Sequence, residues 1–133
     1  MQSRLSADEL IAEAERLTGL SDWGEDDFRT PLGILVESAE TEAALTPLGR
    51  DRLRVWLALR LEQRLKMIED RKRRPGLATQ AIDRPLVITG LPRAGTTYLH
   101  TLAGLHHAAL TARFWQIYLP SPPPHAADCD VAA

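Results

Sequence analysis

The stretch "TGLPRAGTTYLH", residues 89–100, gathers residue types that can hold a phosphoester. Gly90 and Gly95 are separated by four residues, Arg93 lies between them, and Thr96 and Thr97 follow directly. Glycine lets the backbone take left-handed angles and lets an anion approach closely. Arginine adds a permanent planar cation able to grip two oxygens at once. Threonines in the first turn of a helix add hydroxyls and N–H groups where the helix dipole is positive. A dianionic phosphoester is the matching guest. In a nucleoside-triphosphate P-loop a lysine follows the second glycine. Here Thr96 takes that place and the cation sits earlier, inside the loop.

Such a cradle needs a strand before it and a helix after it. "RPLVITG", residues 84–90, is a short run rich in β-branched residues and bounded by Pro85 and Gly90, which predicts a buried parallel strand. "GTTYLHTLAGLHH" predicts a helix through Leu99, Leu102 and Leu105. Upstream, "LSADELIAEAERLTGL" predicts a helix with Ser6 as N-cap, Glu9 completing a capping box, Gly19 behind the last turn and an apolar face of Leu10, Ile11, Ala14 and Leu17. Phe28, Leu32, Leu35, Val36, Ala39 and Ala43 recur at helical spacing as far as Thr46 and Pro47. A third and longest helix is expected from Leu48 to Asp70, opened by Pro47, with Leu53, Trp56, Leu57, Leu61, Leu65 and Ile68 on one stripe. The four prolines of "TARFWQIYLPSPPPHAADCDVAA" predict an extended, poorly packed finish. The fold class is therefore α/β, a P-loop-like strand, loop and helix (residues 83–133) preceded by a helical region (residues 1–82).

With 133 residues, 44% hydrophobic and 26% charged, the chain has the size and composition of one globular domain. No run is long and apolar enough to span a membrane, and "MQSRLSADEL" lacks the layout of a signal peptide, so a cytoplasmic location is expected. The single cysteine, Cys129, can form neither an internal disulfide nor a cysteine-based metal site. The net charge of -2 hides a segregation: residues 1–42 hold 11 acids against 3 bases, and residues 50–74 hold 10 bases against 4 acids. The two segments should lie against each other or flank a polyanion. "RKRR", residues 71–74, is expected to be the solvated end of a helix stopped by Pro75 and Gly76. With no aromatic residues interleaved to stack on bases, no nucleic-acid partner is expected.

"PRAGTTYL", inside "PLVITGLPRAGTTYLHTLAGL", resembles the 5′-phosphosulfate-binding loop of sulfotransferases that use 3′-phosphoadenosine 5′-phosphosulfate (PAPS), with the pattern Pro-Lys/Arg-x-Gly-Thr-Thr. The likeness is greatest to a bacterial branch reading Gly-Leu-Pro-Arg-x-Gly-Thr-Thr, with a helical region like "TGLSDWGEDDFRTPL" and "TPLGRDRL" before the loop and a "PSPPP" segment after it. It runs over nearly all of this chain and about the first third of such a family member. The resemblance implies that Arg93, Ala94, Gly95, Thr96 and Thr97 hold the phosphosulfate, that Arg93 also stabilises the leaving phosphate as the catalytic cation, and that Tyr98 lies near the adenine. It implies in-line transfer of a sulfuryl group to a hydroxyl or amine of a small-molecule acceptor, driven by positioning and cations and with no metal.

In the family the residues that hold the 3′-phosphate lie further along than Ala133. Where the branch is expected to carry an acid after its tryptophan, this chain has Gln116 after Trp115. His100, His106 and His107 are bases by chemistry, although His106 and His107 also suit the negative end of a helix. One strand cannot make a sheet, so the chain is expected to be a truncated part of a parallel-sheet fold that binds the donor weakly and does not turn over alone. Its unpaired strand edge would be open to self-association. Two other readings are a P-loop kinase or NTPase-like nucleotide binder, which needs a lysine and a neighbouring acid, and a non-catalytic helical interaction module.

Overall fold

A computed structural model describes residues 4–91 and 93–122 of the chain. Cys129 and the proline-rich finish beyond Pro122 lie outside the described residues. Among the described residues six α-helices follow in order: α1 Ala7–Thr18, α2 Arg29–Thr41, α3 Pro47–Arg73, α4 Gly76–Thr79, α5 Thr96–Gly104 and α6 Phe114–Tyr118, with a 3₁₀ turn Asp26–Phe28 ahead of α2.

The caps read from the sequence are formed. Ser6 Oγ accepts from the Glu9 N–H, and Gly19 closes α1 in the left-handed region at φ 67°. Thr46 Oγ1 accepts from the Gly49 N–H at 3.1 Å, and Pro47 opens α3 at a position where its missing N–H costs nothing. α3 ends at Arg73 with Arg71, Lys72 and Arg73 in its last turn, where cations face the negative end of the dipole. The basic run is thus a helix terminus.

The core is confined to residues 5–65. Leu10, Ile11 and Ala14 of α1, Leu32 and Val36 of α2 and Leu57, Leu61 and Leu65 of α3 pack with Leu5 and Trp23, and Leu10 and Leu65 are fully enclosed. Leu17, Leu35 and Trp56, expected on the apolar stripes, are exposed instead. The turn between α1 and α2 is clamped from both sides. Trp23 Nε1 donates to Glu15 Oε1 at 2.7 Å, and Gly24, at φ 68°, lies so close to α3 that a Cβ there would stand 2.9 Å from Ile68 Cδ1.

The acidic and basic segments do lie against each other. Arg50 on α3 pairs with Glu40 on α2 at 2.8 Å, Arg64 with Asp27 at 2.7 Å, and Lys72 with Asp22. Each pair joins the acid-rich first segment to the base-rich α3. Glu40 is the best enclosed, its side chain only 6% exposed, and it also accepts from the Leu5 N–H at 3.1 Å. The Arg50 guanidinium and the Leu5 N–H hold its carboxyl below the usual glutamate range.

Two expectations are corrected. Among the described residues there is no β-strand: residues 85–89 have no regular secondary structure, and Ile82, Leu86 and Val87 are 79%, 79% and 77% exposed. A strand exists by ladder hydrogen bonds to a neighbour, and no described segment offers one. With no strand there is no strand edge, only a row of exposed apolar side chains. The segment after α5 is also not uniformly extended, because α6 forms within it and Ser121 is buried against α3.

Two outcomes follow. Leu65→Ala should lower the unfolding free energy by about 2–5 kcal/mol in urea titration, the cost of a cavity at an enclosed leucine. The folded-state pKa of Glu40 lies below its unfolded value, so the unfolded chain binds more protons as pH falls below about 4.3. The stabilisation is complete above that pH and lost as pH falls through the folded pKa, so Glu40→Gln should flatten the acid limb of the urea-midpoint profile.

Candidate functional site

The loop of residues 90–95 turns sharply into α5. The Ala94 N–H donates to the Leu91 carbonyl at 3.1 Å, and Gly95 enters the helix in the left-handed region at φ 81°. Gly90 lies against the far side of this turn: a Cβ on it would stand 3.1 Å from Thr96 Cγ2 and 3.5 Å from Ala94 Cβ. The two glycines therefore act differently, Gly95 by its backbone angle and Gly90 by allowing close approach.

Arg93 also takes a left-handed angle, φ 67°. For a residue with a Cβ this costs about 1–2 kcal/mol, so the loop holds Arg93 in a conformation it does not favour by itself. Its side chain is exposed and makes no ion pair among the described residues. Pro92 lies outside the described residues.

No side chain caps the start of α5. Ser6 and Thr46 cap α1 and α3, but Gly95 has nothing to offer the N–H groups of Thr96, Thr97 and Tyr98. The first intrahelical bond of the turn runs from the Leu99 N–H to the Gly95 carbonyl at 3.0 Å. Three donors and the positive end of the helix dipole are thus gathered beside Arg93 in the chain, an arrangement suited to an anion. Tyr98 is 69% exposed.

The candidate bases are dispersed. His100 lies within α5, whereas His106 and His107 follow its end and stack on each other with ring centroids 4.5 Å apart. His106 Nδ1 accepts from the Ala108 N–H at 3.2 Å, so that nitrogen is engaged in a local turn. Gln116 serves the local structure, since its Oε1 accepts from the Arg113 N–H at 2.7 Å and closes the start of α6. Among the described residues no group of three His, Cys, Asp or Glu is placed to hold a metal ion, and no helix is long and apolar enough to cross a membrane.

A set of residues that sequence reasoning missed ties the post-loop segment to α3. Arg60 Nη1 donates to the Tyr118 carbonyl at 3.2 Å, and its guanidinium carbon lies 3.9 Å from the centre of the Tyr118 ring. The Ser121 N–H donates to Gln63 Oε1 at 3.2 Å, and Ser121 Oγ hydrogen-bonds Asp70. The available signal was that Gln63 stands between Leu59 and Met67 at four-residue spacing. Its partner, 58 residues away, was not legible.

No protein-family model and no curated protein matches the chain. Two solved structures are similar to it. Sulfotransferase STF1 from Mycobacterium tuberculosis H37Rv matches with 37% identity and a TM-score of 0.84, over 98% of this chain and 36% of that one. Sulfotransferase STF9 from Mycobacterium avium matches with 30% identity and a TM-score of 0.79, over 92% of this chain and 31% of that one. The chain thus spans about a third of the length of each. The agreement with both sulfotransferases, in sequence and in backbone, runs over nearly all of these 133 residues.

Proposed function

We propose that residues 83–133 begin the donor-binding domain of a sulfotransferase that moves a sulfuryl group from PAPS to a hydroxyl or amine of a small-molecule acceptor, and that residues 1–82 form its helical N-terminal region. The confinement of the core to residues 5–65 supports that division. The observation that carries the reading is the uncapped start of α5 behind a loop whose arginine is held at a left-handed angle. The likeness to STF1 and STF9 supports the reaction class.

The residues fit the donor. A phosphosulfate is a small, highly charged group that several converging donors can grip, and Gly90 lets the loop fold closely against Thr96. The N–H groups of Thr96, Thr97 and Tyr98 would receive its oxygens, with Ala94 and Gly95 shaping the loop beside it. Arg93 would lie against the bridging and phosphate oxygens, where negative charge grows as the sulfur–oxygen bond breaks. The donor supplies the activated sulfuryl group; the chain supplies orientation and positive charge. Tyr98, exposed in the first turn of the helix, is available to an adenine face. Thr96 in place of the P-loop lysine disfavours a triphosphate.

α5 has no buried residue and the loop stands outside the core, so the cradle is one wall of a site. We accordingly propose weak donor binding and no turnover by the 133 residues alone.

Adenosine 3′,5′-bisphosphate titrated into the chain should bind more tightly than ATP with magnesium, and the reverse order would favour the kinase-like reading. Arg93→Ala should weaken bisphosphate binding roughly tenfold or more, as expected for loss of a charge-assisted grip, while the circular dichroism of the helices is unchanged. Unchanged affinity would remove the donor site from this loop. Gly95→Ala should cost about 1–2 kcal/mol locally, seen as faster amide exchange in residues 96–104 with global stability intact. Labelled sulfate should not move from PAPS to trial acceptors with the chain alone; transfer would refute the one-wall account.

A further inference from the structure

A cleft of about 770 Å³ opens between the turn at Gly24–Phe28, α3 and the segment through Ile117 and Pro120. No described residue of the 90–105 loop and helix lines it, so it is separate from the proposed donor cradle. Its volume is within the roughly 300–1,000 Å³ of small-molecule sites. Phe28, Leu32, Leu61 and Ile117 make a mainly apolar wall, and Arg60 stands in that wall.

Arg60 is the unusual member. Its Nη1 is satisfied by the Tyr118 carbonyl, but Nε and Nη2 are closed to solvent and have no hydrogen-bond partner among the described residues. The neighbouring arginine is fully employed: Arg64 bonds the Trp23 and Glu25 carbonyls and Asp27 Oδ1. Asp27 is thereby taken, and Glu25 is the other carboxylate of the lining. The Tyr118 and Trp56 rings, with centres 3.9 and 5.8 Å from the guanidinium carbon, offset part of the Arg60 charge, but ring faces give Nε and Nη2 no hydrogen-bond acceptor, which an oxyanion would. Nε and one Nη present the two parallel N–H groups that match an oxyanion.

We infer that this cleft binds an oxyanion carried on an apolar chain, with Arg60 gripping the head and the Phe28, Leu32, Leu61 and Ile117 wall covering the tail. The head reaches Nε and Nη2 from within the cleft as Tyr118 moves aside. Tyr118 covers a face of the guanidinium and does not line the cleft, so rotation of its side chain alone leaves the Ile117 wall and the core in place.

The test is calorimetric titration of the purified chain with laurate below its micellar concentration, beside dodecanol and acetate. Saturable binding of one laurate per chain is expected, with dodecanol at least tenfold weaker and no saturation by acetate. Arg60→Leu should weaken laurate tenfold or more while the thermal melt stays cooperative, and Arg93→Ala should leave laurate affinity unchanged. Absence of saturable laurate binding, equal affinity for dodecanol, unchanged affinity in Arg60→Leu, or loss in Arg93→Ala would each overturn the assignment. Should Arg60→Leu fail to fold, Arg60→Lys, which keeps the charge but not the two-pronged grip, must still weaken laurate, and the dodecanol comparison on the unaltered chain decides by itself.

Discussion

The burial of Leu10, Ile11 and Ala14 of α1 in one core with Leu57, Leu61 and Leu65 of α3 is the interaction on which the rest of the molecule depends. It makes a 27-residue helix into a fixed support. Three other parts are referred to that support: α2 through Leu32, Val36 and the Glu40–Arg50 pair, the Trp23–Phe28 turn through Arg64, and the post-loop segment through Arg60, Gln63 and Asp70. The ion pairs add register more than energy. Exposed pairs contribute little each, but the Glu40–Arg50, Asp27–Arg64 and Asp22–Lys72 pairs all join an acid of the first 42 residues to a base of α3.

The second half of the chain is organised differently. Leu86, Val87, Leu99, Leu102 and Leu105 are exposed, and α5 buries none of its residues. The loop nevertheless has a definite shape, because turn hydrogen bonds, left-handed angles and close glycine approach are local and do not require a core. The loop proposed as a donor cradle therefore keeps its shape without packed surroundings. The same circumstance explains why the apolar run 84–90 is not a strand: its residue types suit a pleated, enclosed position, and enclosure requires partners.

Within the site, legibility varied with the range of the interaction. The left-handed angle at Gly95 and the helix start at Thr96 were legible because they follow from neighbours in the chain, whereas the left-handed angle at Arg93 was not read. Gln116 was legible as the absence of an acid, yet its part in closing α6 emerged only with the helix. His106 and His107 follow the end of α5, but the stacking of their rings on each other was not implied by their adjacency. Arg60 is one of the ten bases counted in residues 50–74, and nothing beside it in the chain sets it apart. Its enclosure depends on Tyr118, which reaches it from a segment that proline content had marked as unpacked.

By itself the sequence determined helices α1, α2, α3 and α5, the caps of α1 and α3 and the left-handed turn at Gly95, since hydrogen bonds within a few residues, dipole ends and backbone angles are settled by local chemistry. It also narrowed the acid-rich and base-rich stretches to two arrangements, against each other or flanking a polyanion, and the fold took the first. Tertiary structure alone decided which apolar residues were enclosed, that the Val/Ile run found no strand partner among the described residues, and that Arg60, beside a cleft, came to have two enclosed nitrogens with no hydrogen-bond partner among the described residues. Each of these turns on contacts between segments tens of residues apart, and the free energy of such contacts depends on what the chain brings together in space.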